Sequence, residues 1–514
     1  MTLNVDFYNR DGSEKVGWPW RSVDTLRYSF NVIGGPKKAE LRATGSDLAL
    51  WELVEMLRCP VVINHKEQGK KRWWGYVHGV EIHTAGGLVY GVNLDSMANN
   101  IAVCHTYQRD EFKTAYSSDS DSTSEFGTKD LNLRIRERTS GLALQFRNTE
   151  LEKRKYPIPV IGKGQPGGAH AIIECRGWYE TLEWRYYLQD SGKEIHEEIS
   201  TNWGREIGED NRPIAAQSFQ LSSTAGWTAT AIWLRVSKYG APTDNLQIDL
   251  YSDAAGVPNA SLTGGATTLA GGNVNTYYEW TEFTLSSAVA LSLATTYWIH
   301  CSRSGAVDDD DHYMIGGGDD YLDGSMKLWN GASWNSEDKY SNDLTFKVIG
   351  EEVTTTQISD AVTSIGQFFV STDIIDASGI SNQQYRDGDQ TGLYEINQLL
   401  KTGTTNNKRL LAKVNETRIL EVYEEPNKGD DDYSMNASFE LFDANNNPVD
   451  PTECVVGKWA RLKGVIPGSA NVSRLSDASV FFIEEAEYNA RTERWSPTKN
   501  RDDKPLIPVS LEEG

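Results

Sequence analysis

Three tryptophans in the middle of the chain, Trp233, Trp280 and Trp298, are placed to bind rather than to react. In 231–236, Ile232, Leu234 and Val236 share one parity, and Trp233 and Arg235 the other. In 280–285, Phe283 and Leu285 alternate with Trp280 and Glu282. In 296–301, Tyr297, Ile299 and Cys301 alternate with Trp298 and His300. Strand side chains alternate between two faces, so a core built on the aliphatic side turns all three indoles outward. An exposed indole offers a flat apolar face on which the C–H face of a sugar ring stacks. Arg235, His300 and neighbouring Asp or Asn groups would hydrogen-bond the hydroxyls. The same indoles suit a protein interface, where Trp is enriched. Trp233, Trp280, Trp298, Arg235 and His300 are therefore the candidate contact set, for a glycan or for a packing partner.

A second constellation is acidic. Asp308, Asp309, Asp310 and Asp311 are consecutive, and Asp319, Asp320 and Asp323 follow. Calcium takes six to eight oxygens from flexible loops, and clustered carboxylates supply them. Asp308, Asp310, Asp319, Asp320 and Asp323 are the candidate ligands, although the spacing is not that of an EF-hand. A solvated acidic loop is the alternative, since charge runs usually are that. Asp443, Asn445 and Asn447 lack the Gly and Glu that would complete a calcium loop, so they read as a turn. No cofactor is expected beyond that possible calcium.

Catalytic patterns are missing from the sequence. There is no Gly-x-Ser-x-Gly, no His-Glu-x-x-His and no phosphate-binding Gly-x-x-x-x-Gly-Lys-Ser/Thr run. The eight histidines show no paired ligand spacing on one helix. Gly162 to Gly168 contains Pro166 and leads into no helix, which argues against phosphate cradling. The reading is a protein that is not an enzyme.

The elements that hold these residues follow from composition and pattern. The chain has 514 residues and a formal charge of −23, with 16 Trp, 23 Tyr and 45 Gly. Its length suggests two to four domains at roughly 100–200 residues each. Its acidity argues against a protein that coats nucleic acid, where a basic face supplies the affinity. Five widely spaced cysteines make neither a disulfide framework nor a metal site, and fit folding in a reducing cytoplasm. No apolar run reaches the ~18 residues of a membrane helix. Asp6, Arg10, Asp11 and Glu14 leave no room for a secretory leader in the first twenty residues.

Short alternating runs between Gly, Asn, Asp and Ser turns predict a mainly β fold. Three zones stand out. Residues 1–212 mix strands with helices. Leu26, Tyr28, Phe30 and Val32 alternate on one face. Ser46 is an N-cap for a helix with Leu48, Trp51, Val54 and Leu57 as its apolar stripe, ended by Pro60. The Ser/Asp run 117–124 reads as a mobile loop, and 139–155 as a second helix. Residues 213–350 carry six Lys/Arg against fifteen Asp/Glu and about seven short strands, the pattern of an antiparallel β-sandwich. Residues 351–514 return to the mixed pattern. Helices are expected over 358–370 and 394–400, and an extended arm over 493–514. The outer zones resemble each other more than the middle, which makes 213–350 an insertion between two parts of one body.

The outer zones resemble bacteriophage tail hub proteins of the baseplate or tail tip. Three pieces carry the resemblance. The first is Trp74-Gly75-Tyr76-Val77 with Asn93-Leu94-Asp95-Ser96-Met97 through Val103. The second is Gly177-Trp178-Tyr179-Glu180-Thr181-Leu182-Glu183-Trp184. The third is Leu399 to Gly403 with Arg409 to Ala412 and Arg418 to Pro426. The resemblance implies an α+β hub with β-barrel domains, assembled as a ring, commonly a homotrimer, that closes the tail tube and organises the tip. It implies contacts with tail tube, distal tail, tape measure and tail fibre proteins. It also implies assembly in the host cytoplasm and residence in the virion. DNA would pass without specific binding, and an acidic lumen would repel it.

The middle zone is similar to carbohydrate-binding β-sandwich modules, through Ala216-Gln217-Ser218-Phe219, Gly240 to Leu246, Asp253 to Pro258 and Ala294 to Ile299. That similarity implies a lectin-like module facing host-surface polysaccharide. The rival expectations are a secreted glycoside-active enzyme with an appended binding module, and a hub whose sandwich is only a spacer or docking site.

Overall fold

The computed structural model describes residues 3–17, 22–107, 110–136, 138–197, 204–210, 212–319, 321–336, 342–428, 433–436, 438–462 and 480–501. The protein is mainly β. It divides into two compact units. One, the body, combines Met1–Tyr187, Thr354–Ile380 and Gln390–Gly514; the other comprises Leu188–Val353 and Ser381–Asp389.

The body is organised around a thirteen-stranded sheet. Strand Ser22–Asn31 pairs antiparallel with Val480–Asn489, from Arg27 opposite Asn489 to Asn31 opposite Glu485. The first and last stretches of sequence thus share one sheet. Their core is shared as well. Trp178 and Trp184 pack on Phe368 at 5.6 and 5.5 Å, and Val414, Leu420 and Ile483 belong to the same buried cluster. Burying each such ring is worth ~1.5–3 kcal/mol, which is ample reason for segments far apart in sequence to close on one another.

Local pattern fails in instructive places. Tyr28 and Phe30 are buried as their alternation demands, but Leu26 is only half-buried while Thr25 is buried. A bulge between Thr25 and Arg27 inserts one residue and reverses the faces beyond it. Ser46 does cap the first helix, accepting from the Ala49 N–H. That helix tightens to a 3-10 turn at Glu52–Met56; Leu50, Leu53, Met56 and Leu57 go inward, Trp51 and Val54 are half-buried, and Leu48 stays exposed.

The run expected as a loop holds helix Ser120–Phe126. Asp119 caps it through Ser122 N–H, Gly127 ends it at φ 86°, and Ser122 is fully buried beneath the Asn99 amide. Asp119→Ala is expected to cost ~1 kcal/mol, read as lost hydrogen-exchange protection over 120–126. The 358–370 expectation becomes Thr354–Ile365, stopped at Gly366. Of the expected arm, Arg494–Arg501 is a strand on Val480–Asn489 with Trp495 buried; 502–514 lie outside the described residues.

The second unit is an antiparallel sandwich that begins at Leu188, not 213, and takes in Ser381–Asp389. Short strands Lys193–His196 and Gly204–Ile207 lie before the expected start, and Ser381–Gln383 after a helix of the body. Its eight-stranded sheet includes Trp227–Tyr239, Glu279–Leu291, His312–Asp319 and Phe346–Val353. Its seven-stranded sheet runs Val257–Ser261, Asn245–Ala254, Tyr297–Arg303, Ile214–Phe219, Met326–Trp329, Trp334–Ser336, with Thr267–Ala270 beside Asn245–Ala254. Between them lie Ile232, Leu234, Val236, Phe283 and Phe346 from one sheet, and Phe219, Leu246, Ile248, Leu250 and Ile299 from the other.

Candidate functional site

The alternation of the sandwich strands is the one expected: Ile232, Leu234, Val236, Phe283, Ile299 and Cys301 are all buried in the core. The five candidate contact residues nevertheless do not form one patch. Trp233, Arg235 and Trp280 lie on the eight-stranded sheet, and Trp298 and His300 on the seven-stranded one. Their outward faces are the two opposite outer faces of the sandwich. Parity gives the face within a sheet; it does not say which sheet a strand joins.

On the eight-stranded sheet, Arg235 stands directly opposite Trp280, and Trp233 lies between Glu282 and Lys347 in the ladder. The Lys347 ammonium lies 4.4 Å from the centre of the Trp280 ring and pairs with Glu197 at 3.0 Å. One face of that indole is already covered by a cation.

Trp298 is not a contact surface at all. It is 1 % exposed, and its Nε1–H donates to Asp253 Oδ1 at 2.8 Å. Outward from the core is not the same as exposed, because Tyr251 and Ser218 flank it on the adjoining strands. Trp298→Phe is expected to cost ~1–2 kcal/mol of sandwich stability, measured by urea unfolding, through the lost bond to a carboxylate.

His300 has a different setting. Its ring stacks on Tyr251 at 4.5 Å and 13°, and meets the edge of Trp334 at 5.9 Å and 76°. Trp334 in turn packs against Trp329 at 5.5 Å. Burial pushes the His300 imidazole down to about 4, so it is neutral near pH 7. Asp249 faces His300 across the ladder, and burial raises its carboxyl above the ordinary range.

Two strands, Ile214–Phe219 and Met326–Trp329, separate the His300 strand from the Trp334 strand. In a flat sheet three ladder steps span ~14 Å. The 5.9 Å approach of the two rings therefore requires the sheet to curve toward its Met326–Ser336 edge. Ala216 is opposite His300 in register and fully buried although it faces away from the core. Tyr251, His300, Trp329 and Trp334 all remain half-exposed. They make a curved aromatic floor with Asp249 and Gln247 along its side.

Tyr251, Trp329 and Trp334 were absent from the sequence-derived set, yet two signals pointed to them. Leu246, Ile248 and Leu250 inward place Gln247, Asp249 and Tyr251 outward. The Asn330-Gly331 turn brings Trp329 and Trp334 opposite each other in register across a hairpin.

The acidic cluster is used for turns. Asp308 Oδ1 accepts the N–H of Asp310 and Asp311, Asp309 Oδ1 accepts from Asp210, and Asp311 Oδ1 accepts from Ala241. Asp323 is exposed, and Asp320 lies outside the described residues. Among the described residues no three His, Cys, Asp or Glu groups converge to hold a metal ion. Of the expected ligand set Asp308, Asp310, Asp319, Asp320 and Asp323, Asp308 serves backbone donors, and the side chains of Asp319 and Asp320 lie outside the described residues. Asp443 makes the turn expected of it, accepting from the N–H of Asn445 and Asn447.

No family model matches the sequence, and no curated protein matches it. Among solved structures, the chain was matched to the functional form of the mosquito-larvicidal Cry4Aa toxin from Bacillus thuringiensis. The match has 7 % identity and a TM-score of 0.16, covers 59 % of this chain, and spans about half of that one, 52 %. A similarity of that size carries no argument about fold or activity.

Proposed function

We propose that this protein is a structural component of a bacteriophage tail tip or baseplate hub that displays a glycan-binding sandwich for attachment to the host surface. The observation that carries the adhesion half is the curved floor of Tyr251, His300, Trp329 and Trp334. Half-exposed rings side by side, with Asp249 and Gln247 at their edge, suit a neutral pyranose: stacking for its C–H face and acceptors for its hydroxyls. Support for the hub half is the sequence resemblance, together with a body whose first and last stretches pair strand to strand around an inserted module. In this reading the chain works in the virion as a ring, beside tail tube, distal tail, tape measure and fibre proteins. Weak sugar contacts would be multiplied by the number of copies.

A glycan array probed with the intact chain, with particle images of the same sample, tests both halves. Binding to neutral hexose polymers by ring-shaped particles is the expected result. Rings without glycan binding would leave the sandwich as a spacer or docking site. A monomer that cleaves a glycan would overturn the reading in favour of an enzyme.

A further inference from the structure

Helix Ser140–Arg154 of the body has two apolar sides. Ala143 and Leu151 are buried, Leu151 against Ala98 and Ile101. Leu142 and Phe146, one turn apart, lie on another side and are 51 % and 37 % exposed; Leu144 is 41 % exposed. A helix with apolar residues well beyond one stripe is normally packed on more than one side. Here the second side borders a groove of about 520 Å³, closed by Ile135, Arg136 and Arg138. Exposed apolar surface gathered in a groove marks an interaction site far better than scattered leucines do.

The groove is also cationic: Arg136 and Arg138 line it, and no carboxylate does among the described residues. Between 134 and 155 the chain carries Arg134, Arg136, Arg138, Arg147, Lys153, Arg154 and Lys155 against Glu137, Glu150 and Glu152, in a molecule of net charge −23. We infer that a second copy of this chain occupies the groove, and that it does so with an acidic surface other than its own groove. Charge complementarity selects the occupant, because this stretch carries +4 (seven Lys/Arg, three Glu) and the rest of another copy −27 (−23 minus 4). The overall repulsion between two such chains is screened beyond ~8 Å at physiological salt, so the local contact decides. Two grooves cannot face each other, since Arg136 and Arg138 of both copies would be apposed. The contact is therefore between unlike surfaces, and repeated head to tail it gives a ring when its rotation closes, as the proposed hub requires. This rests on the proposed self-assembly and adds the surface that produces it.

Sedimentation of the intact chain tests it, alongside Leu142→Ser/Phe146→Ser and Arg136→Glu/Arg138→Glu. All four positions are solvent-facing, and far-ultraviolet circular dichroism checks that each variant is folded. The expected result is a wild-type assembly larger than a dimer that loosens with salt. Both double variants should dissociate, with the dissociation constant raised about tenfold or more. Rings that persist in both folded variants overturn the groove assignment and leave the hub reading standing. A wild-type chain that stays monomeric overturns both, and a discrete wild-type dimer overturns the head-to-tail contact.

Discussion

Replacing Asp244 with alanine is expected to remove about 3–5 kcal/mol from the sandwich. Arg303 closes on this carboxylate with two bonds, Nε to Oδ2 at 2.9 Å and Nη2 to Oδ1 at 2.8 Å. Both side chains are largely shielded, 8 % and 14 % exposed. The Gly305 N–H adds a third bond at 2.7 Å, and the Tyr313 hydroxyl donates to the Asp244 carbonyl. The variant would leave a guanidinium shut away with the Asp311 carbonyl as its remaining hydrogen-bond acceptor among the described residues. It would also free the turn that joins the Trp227–Tyr239 and Asn245–Ala254 strands. Hydrogen exchange over 245–303 in the intact chain measures the loss without requiring the two units to unfold together. Asp244→Leu with Arg303→Met should recover much of it, because an apolar pair needs no desolvation.

The pH dependence has a fixed sign. Burial alone would raise the Asp244 carboxyl, but the Arg303 bonds and the Gly305 N–H outweigh it and hold it below the ordinary carboxylate value. A depressed carboxyl stabilises above its unfolded value of about 3.9, and that contribution fades as pH falls through the folded one. Protection over 245–303 should be level near neutrality and drop only in acid. If Asp244→Ala exchanges like wild type at pH 7, the pair does not hold the module together.

Much of this structure was legible in the residues, and the illegible parts share a cause. Period-two alternation named the core face of 231–236, 280–285 and 296–301 correctly, because each strand carries its own pattern. It could not place Trp233 and Trp298 on different sheets, since sheet membership is set by hydrogen bonds to strands elsewhere in the chain. The start of the sandwich was missed for the same reason. Lys193–His196 and Gly204–Ile207 are four residues each and take their meaning from pairing with Phe346–Val353 and His312–Asp319. The apolar stripe of the first helix was read only in part: Leu57 is buried as expected, but Leu48 is exposed and Leu50, Leu53 and Met56 take the inward face at a spacing of three as the helix tightens to a 3-10 turn. The Ser/Asp run looked like loop by composition, yet a single cap at Asp119 and one buried hydroxyl were enough to order it.

Trp334→Ala is expected to cut glycan affinity about tenfold to a hundredfold, while Trp233→Ala and Trp280→Ala leave it unchanged. Trp334 is the ring that meets His300, so its removal opens the floor. Trp329→Ala should show a smaller loss, since it supports Trp334 from the inner strand of the hairpin. Trp280 serves as the control because it lies on the opposite face beneath the Lys347 ammonium. Titration calorimetry on the intact chain with a neutral oligosaccharide reads all four variants. The pH profile adds a signature that simple loss of packing does not give. With its imidazole pushed down to about 4, His300 stays neutral from pH 8 to near 5 and itself adds no pH dependence to binding there. Below that, protonation charges a ring stacked on Tyr251 and binding should fall, whereas sandwich stability already declines from about pH 6.5 downward. A histidine held below its unfolded value of about 6.5 stabilises fully above that value and loses the contribution as pH falls toward the folded one. Full affinity in Trp334→Ala, or lost affinity in Trp280→Ala, would move the binding site off the curved face altogether.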